Sequence, residues 1–306
     1  MSITICPVKP DFVAEVGDID LSAPLCSADE QAVREAFARY AVLVFPAQAL
    51  EVEQHLAFAG LFGPHERTVQ VALKSEKLRV REEIADIANL DASGNIWASD
   101  NRLRLFQMGN RLWHTDSSFK QPTGYTSMLY ARSVAPIGGH TQFADLRAAY
   151  DALPAERRAR LKGLVAEHSL LFSRRRLGFT NFTDDERLAF TPLPRPLVRA
   201  IPESGRQSLY LASHVGRIRG MPDDEAMALI DELTAHATQP QFIHTHRWRV
   251  GDLVLWDNRC TMHRGTEFDD LRWRRDMQRA TTSDKPDAFG PLSAESVAIQ
   301  GALATS

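Results

Sequence analysis

The segment Trp113-His-Thr-Asp-Ser-Ser-Phe119 sets the hardest constraint on how this chain can fold. It puts an imidazole, His114, and a carboxylate, Asp116, at positions i and i+2. On a strand those two positions point to one face, so the side chains converge. Converging lone pairs suit a metal ion. Two imidazoles and one carboxylate form the facial arrangement that holds non-heme Fe(II) and leaves positions open for oxygen chemistry. The third ligand must return from a distant segment, so the fold has to close two remote parts of the chain onto one point. His263 is the candidate. It follows an apolar run from Val254 and a polar turn at Asp257-Asn258-Arg259. Trp113 and Phe119 would supply apolar walls that lower the local dielectric. On its own, the His-x-Asp pair is a weak signal and reads more readily as a hydrogen-bonded structural histidine.

Other residues compete or assist. His244-Thr245-His246 repeats the spacing without a neighbouring carboxylate, and it reads as structural. His55, His65, His168 and His236 sit in helical or turn contexts, and His140 and His214 are second-rank pocket candidates. Arg275 and Arg279 are four apart and share a face if they lie on a strand. Guanidinium forks grip carboxylates at two points. One arginine would hold the distal carboxylate of a dicarboxylic cosubstrate and the other a substrate anion. The crowding of Arg272, Arg274, Arg275 and Arg279 also describes a solvated basic face, and composition alone favours that. Thr141, after Gly138-Gly139, could donate a hydroxyl to the same carboxylate or simply follow a turn.

Ser27-Ala-Asp-Glu30 predicts a capping box opening a helix to about Tyr40, followed by a strand at 41–45 stopped by Pro46. A helix is expected from Glu51 to Phe62. Residues 65–112 read as loop or lid with short strands. Strands are expected at 124–134, 208–211, 252–257 and 272–282, and helices at 145–168 (broken at Pro154) and 223–236. Residues 174–194 read as an insertion. The pattern has no regular strand-helix alternation. It predicts a mainly β chain with flanking helices, one antiparallel core in a single domain over 1–283, and a loosely ordered tail at 284–306. The net charge of −3 argues against a nucleic-acid or membrane partner, and the N-terminus has no signal-peptide pattern. Cys6, Cys26 and Cys260 have no metal or redox spacing, which suits a reduced cytoplasmic compartment.

With these residues in view, the chain resembles the taurine dioxygenase / 2,4-dichlorophenoxyacetate dioxygenase family of Fe(II)/2-oxoglutarate-dependent oxygenases. The matching landmarks are WHTDSSF at 113–119, GGHTQFADLRAAYDALP at 138–154, RPLVRAIPESGRQSLY at 195–210, GDLVLWDNRCTMHRG at 251–265 and RDMQRATT at 275–282. Their order and spacing run from about Ile3 to Thr282, and they resemble the aryloxyacetate-cleaving branch above all. The resemblance implies a double-stranded β-helix (jelly-roll) core, with Fe(II) as cofactor and 2-oxoglutarate and O2 as cosubstrates. It puts His114, Asp116 and His263 on the iron ligands and Thr141 and Arg275 on the grip for the cosubstrate's C5 carboxylate. Arg279 falls near its C1 carboxylate and the substrate anion. Asn110 and Ser117 join Arg279 as substrate contacts. One departure is visible. The family's arginine pair usually starts eleven residues after the distal histidine, which is Arg274 here, whereas the Arg-x-x-x-Arg-Ala-Thr pattern starts at Arg275. A one-residue insertion in 266–272 reconciles them and selects Arg275.

The resemblance implies a small anionic substrate, an aryloxyalkanoate or related aromatic carboxylate, cleaved at the ether to a phenol and glyoxylate with succinate and CO2. A taurine-like sulfonate, an alkyl sulfate or a non-catalytic jelly-roll binding protein remain as alternatives, and a homo-oligomer is compatible. A halogenase is disfavoured, because Asp116 occupies the position chloride would need. The lid segment has Val71 and Asn95 where the herbicide-cleaving branch carries lysines, so Arg67, Lys74 or Lys77 could serve in their place.

Overall fold

Alternation along the strand Leu253–Asp257 explains how the sheets stack. All five of its residues are buried. Leu253 and Leu255 face one way and join Leu43, Phe45, Met128, Tyr130 and Ala280 beneath Phe37, Leu56 and Phe58 of two helices, Ser27–Tyr40 and Val52–Gly60. Val254 and Trp256 face the other way with Val42, Val44, Leu129, Ala131 and Met277, and there they meet Phe143 and Trp248. Cover on both faces makes residues 253–256 a continuous apolar run, and the buried carboxylate that ends the strand, Asp257, is paired with Arg259 at 2.8 Å. The architecture comes from a computed structural model that describes residues 3–69 and 78–285.

The strand belongs to a seven-stranded sheet, ordered Thr4–Lys9, Val13–Gly17, Val42–Phe45, Leu253–Asp257, Gly124–Ser133, Asp276–Ser283 and Ile84–Asp86. Phe143 lies on the central strand of a second sheet, Ile243–His246, Thr141–Asp145 and Thr261–Gly265. The shared apolar layer of Trp256 and Phe143 therefore lies between two sheets. Among the described strands pairing is antiparallel except between Val13–Gly17 and Val42–Phe45, which run parallel. The helix Asp223–Ala237 packs Ile230 and Leu233 against Val215 and Ile218 of a smaller sheet.

Several boundaries differ from expectation, each for a local reason. Helix Ser27–Tyr40 is capped at Cys26 with no side-chain cap bond, so the Ser27–Glu30 box does not form. The Cys26 thiol bonds Asp29 instead. The next helix runs Val52–Gly60 with a capping box made by Glu51 and Gln54. Residues 65–112 hold a helix, Arg102–Gln107, started by the Asn101 side chain accepting from Leu103 and Arg104 and continuing as a 3-10 turn over Met108–Arg111. The stretch 145–168 is two short helices, Leu146–Asp151 and Ala155–Leu161, and then a strand, Val165–His168. Within 174–194, Thr183 and Glu186 form a capping box for helix Asp184–Ala189. The strand expected at 272–282 begins later, at Asp276. Asp284 is tied down by its backbone N–H to Thr123 and by Arg199 at 2.7 Å. Val71, Lys74, Lys77 and the tail beyond Lys285 lie outside the described residues. Among the described residues, no helix is long and apolar enough to cross a membrane.

The core carries two histidines that resist protonation. Burial pushes the imidazole of His55 down to about 4 and that of His168 down to about 3. Neither ring nitrogen of His168 has a hydrogen-bond partner among the described residues. The unfolded chain takes up these protons near 6.5, so below that pH it binds more protons than the native state and stability falls. At pH 5 each group should cost about 2 kcal/mol relative to pH 7.5. Urea unfolding of the metal-free protein at the two pH values checks this. A midpoint that does not move would mean that these rings are solvated.

Candidate active site

His114 does not sit on a regular strand. It makes a single antiparallel bridge with His263, exchanging N–H to O bonds of 3.0 and 2.8 Å, and the chain then turns at Asp116–Phe119 with Ser117 at φ 54. Convergence thus comes from a backbone bridge between the remote segments and a tight turn, rather than from a pleat. The two imidazole centroids are 4.2 Å apart. One ligand atom from each of His114, Asp116 and His263 lies within 4.8 Å of the others, and all three residues are buried.

Each donor is aimed by its neighbours. The Nδ1 of His114 lies 2.8 Å from the Leu112 carbonyl. A proton on Nδ1 satisfies that carbonyl and leaves the Nε2 lone pair for a ligand. His263 is oriented by packing, with Trp256 at 4.7 Å and Phe143 stacked at 6.0 Å between centroids. Asp116 accepts from Ser127 at 2.8 Å and from Arg279 at 2.6 Å. Asn258, from the polar turn before His263, accepts from Trp256 and from the Asp116 backbone, and donates to Ser127. Burial alone would raise the Asp116 pKa, but Arg279 and the two imidazoles overcome it and hold the carboxyl down to about 2. Burial, opposed by Asp116, keeps His114 below its ordinary value, and burial with the neighbouring His114 takes His263 well below. Two neutral imidazoles and one ionised carboxylate with their nitrogens 3.7 and 3.6 Å from its oxygens form a set that suits a divalent cation.

Two cavities meet at this point and share Ile87, Gln107, Asn110, His114 and Arg279. The inner one, about 100 Å3, ends on Thr141 and Arg275. Arg275 is buried and, among the described residues, meets no carboxylate. Its guanidinium reaches the Ile87 carbonyl at 3.4 Å and lies over Phe268. Burial pulls its pKa down to about 10. Such a cation is costly until an anion arrives. Thr141 Oγ1 accepts from Trp248 at 2.9 Å, so its own hydroxyl proton is free to donate. Gly138 makes the turn beside them. Its φ is 74°, and a Cβ there would strike the Glu267 carbonyl at 2.2 Å. A buried guanidinium with no carboxylate partner among the described residues, lining the same cavity as a free hydroxyl donor, fits the distal carboxylate of a dicarboxylic acid.

The outer cavity, about 80 Å3, has Val69, Leu103, Phe106, Phe119 and Leu170 as apolar walls and Ser117, Lys120, His214 and Arg174 as polar ones. Ser117 donates to Glu66 at 2.6 Å, and Lys120 pairs with the same carboxylate at 2.8 Å. Asn110 lines both cavities, as does Arg279. Trp113 is no wall of either: it packs among the hydrophobic residues beyond, under Arg264. Arg274 is exposed, with its guanidinium beside Gly94. Asn95 is exposed in a turn with Asp91, and Arg67 is ion-paired with Glu82. His246 does have a carboxylate partner, Asp252 at 3.0 Å, across the bend between their strands. His214 lines the outer cavity, edge-on to Phe119 at 4.8 Å. Arg174 was missed because Arg174-Arg175-Arg176 looks like a solvated basic run. The signal was the helical spacing that puts Arg174 on the buried side with Leu170 and Leu171.

Comparison with known proteins agrees with this geometry. The family model described as "Taurine catabolism dioxygenase TauD, TfdA family" matches residues 4–281. An alpha-ketoglutarate-dependent 2,4-dichlorophenoxyacetate dioxygenase of Cupriavidus pinatubonensis is 44% identical over 93% of this chain and 99% of its own length. An (S)-phenoxypropionate/alpha-ketoglutarate-dioxygenase of Sphingobium herbicidovorans is 38% identical over 87% of this chain and 90% of its own. The crystal structure of AAD-2 in complex with Mn(II) and N-oxalylglycine superposes with a TM-score of 0.89 at 44% identity, covering 94% of this chain and 99% of that one.

Proposed function

The chain belongs to the taurine catabolism dioxygenase TauD, TfdA family, and on that premise we propose that it hydroxylates an aryloxyalkanoate at the carbon between the ether oxygen and the carboxylate. It is an enzyme of the Fe(II)- and 2-oxoglutarate-dependent dioxygenase class. In this reading residues 1–283 act as one catalytic unit, and the two facing sheets form a double-stranded β-helix with the site at its mouth.

His114, Asp116 and His263 hold the metal. Arg275 and Thr141 hold the distal carboxylate of 2-oxoglutarate in the inner cavity. When bound, iron and 2-oxoglutarate supply O2-dependent hydroxylation coupled to formation of succinate and CO2. The protein's part is positional. Arg279 keeps Asp116 ionised and turned toward the imidazoles. Phe106, Phe119 and Leu170 pack the aromatic ring and exclude water, so that one C–H bond faces the metal. Ser117 and Asn110 line the same approach. The hydroxylated carbon carries a hemiacetal, which collapses to a phenol and glyoxylate.

The observation that carries this reading is the pair of cavities sharing one triad. One ends on an unpaired guanidinium suited to the cosubstrate, and the other has aromatic walls suited to an aryl ring. Incubation with phenoxyacetate should release phenol and glyoxylate in step with succinate. Succinate formation coupled to taurine or hexyl sulfate, with no response to phenoxyacetates, would move the enzyme to the sulfonate or sulfate ester substrates.

A further inference from the structure

The outer cavity holds a cation for which the described residues supply no counter-ion. Arg174, on helix Leu170–Arg175, is 5% exposed. Its Nη1 reaches the Ser173 hydroxyl at 3.1 Å, its Nε has no partner among the described residues, and its guanidinium lies 4.3 Å from the centre of the Phe106 ring. Among the described residues no carboxylate pairs with it. The other cations lining that cavity are committed: Arg67 to Glu82, Lys120 to Glu66 and Arg279 to Asp116. Burial alone pulls the Arg174 pKa down to about 9.

The position is built for the side chain. Gly109 lies against the guanidinium, and a Cβ there would come within 2.2 Å of Nη1 and 2.4 Å of the central carbon. The space a side chain would fill is occupied by the fork. A desolvated charge with no partner is destabilising unless something supplies the opposite sign. The cavity on which Arg174 opens also contains His114 and Asp116. An anion gripped there would share that cavity with two members of the triad.

We propose that Arg174 is the anchor for the substrate's anionic group, leaving Arg275 to the cosubstrate and Arg279 to Asp116. This rests on the reading that the outer cavity takes an anionic substrate. It adds the residue that selects the charge. The guanidinium fork matches a carboxylate at two points while Phe106 backs it from below.

The test is equilibrium binding to the anaerobic Fe(II)/2-oxoglutarate enzyme at pH 7.5, read by the shift of the metal-to-ligand charge-transfer band. The probes are phenoxyacetate and its neutral isostere phenoxyacetamide. Arg174→Gln should raise the phenoxyacetate Kd about 100-fold. The phenoxyacetamide Kd should change less than about threefold and the 2-oxoglutarate Kd less than about twofold, on the same scale. Arg174→Lys should fall between, and Gly109→Ala should weaken phenoxyacetate by displacing the fork with the charge retained. The metal-free Arg174→Gln protein should melt at the wild-type temperature or above, since an unpaired buried charge is gone. A lowered Tm with unchanged phenoxyacetate affinity would make Arg174 a structural residue and overturn the proposal. If wild type ignores phenoxyacetate, the aryloxyalkanoate reading fails by itself, and hexyl sulfate against 1-hexanol replaces the pair. Loss of hexyl sulfate binding in Arg174→Gln then supports the anchor. Undiminished binding, or no binding of either anion to wild type, overturns it.

Discussion

Replacing His263 with glutamine is expected to abolish stoichiometric Fe(II) binding and, with it, turnover. The imidazole provides one of the three donors that converge among the described residues. An amide oxygen is a far weaker ligand for iron than imidazole nitrogen. Removing supporting groups around a metal ligand already costs 10–100-fold in affinity, so losing the ligand itself should exceed about 100-fold. Activity should drop roughly a thousandfold or more. Glutamine roughly keeps the volume between Trp256 and Phe143, which limits the cavity penalty that alanine would add. The decisive readout is independent of catalysis. Excess Fe(II) should raise the Tm of wild type by mass action and leave the variant's Tm where it was. His246→Gln should keep the iron-dependent rise, because that ring is held by Asp252. A variant lacking His263 that still binds one Fe(II) as tightly would remove the triad as the metal site.

The sequence carried the triad more clearly than it carried the triad's geometry. His114, Asp116 and His263 were identifiable because few residue sets can bind a metal and leave it open. Side chains at i and i+2 converge on a strand, but the chain instead uses one bridge to His263 and a turn at Ser117. A single bridged residue leaves no periodicity to detect, because it depends on a partner far along the chain. The core strand at Leu253–Asp257 was legible for the opposite reason, since burial on both faces writes an unbroken apolar run over its first four residues. The helix Arg102–Gln107 was hidden by Asn101 and the polar residues before it, which looked like loop but include its cap. Arg174 was hidden among arginines, because composition cannot tell a solvated cation from a desolvated one. That difference lies in which carboxylates the fold brings within reach, and those contacts are long-range.

Burial separates Arg275 from its exposed neighbour Arg274. Arg275, Met277 and Arg279 alternate onto the face that Val254 and Trp256 share, whereas Arg274 points out to solvent. Arg275→Gln should raise the KM for 2-oxoglutarate about 100-fold, because a charge-assisted double contact is replaced by a neutral amide. Arg274→Ala should leave that KM within about twofold, as exposed charges contribute little. The phenoxyacetate affinity of Arg275→Gln should hold while its cosubstrate affinity falls. That is the reverse of the pattern expected for Arg174→Gln, so two unpaired guanidiniums on either side of one triad would each answer to a different carboxylate. If Arg274→Ala abolishes 2-oxoglutarate binding and Arg275→Gln does not, the register of the whole segment after the 266–272 loop is shifted by one residue. The inner cavity would then end on a different side chain. If both variants keep the cosubstrate, its distal carboxylate is held elsewhere, and the desolvated charge on Arg275 has some other partner.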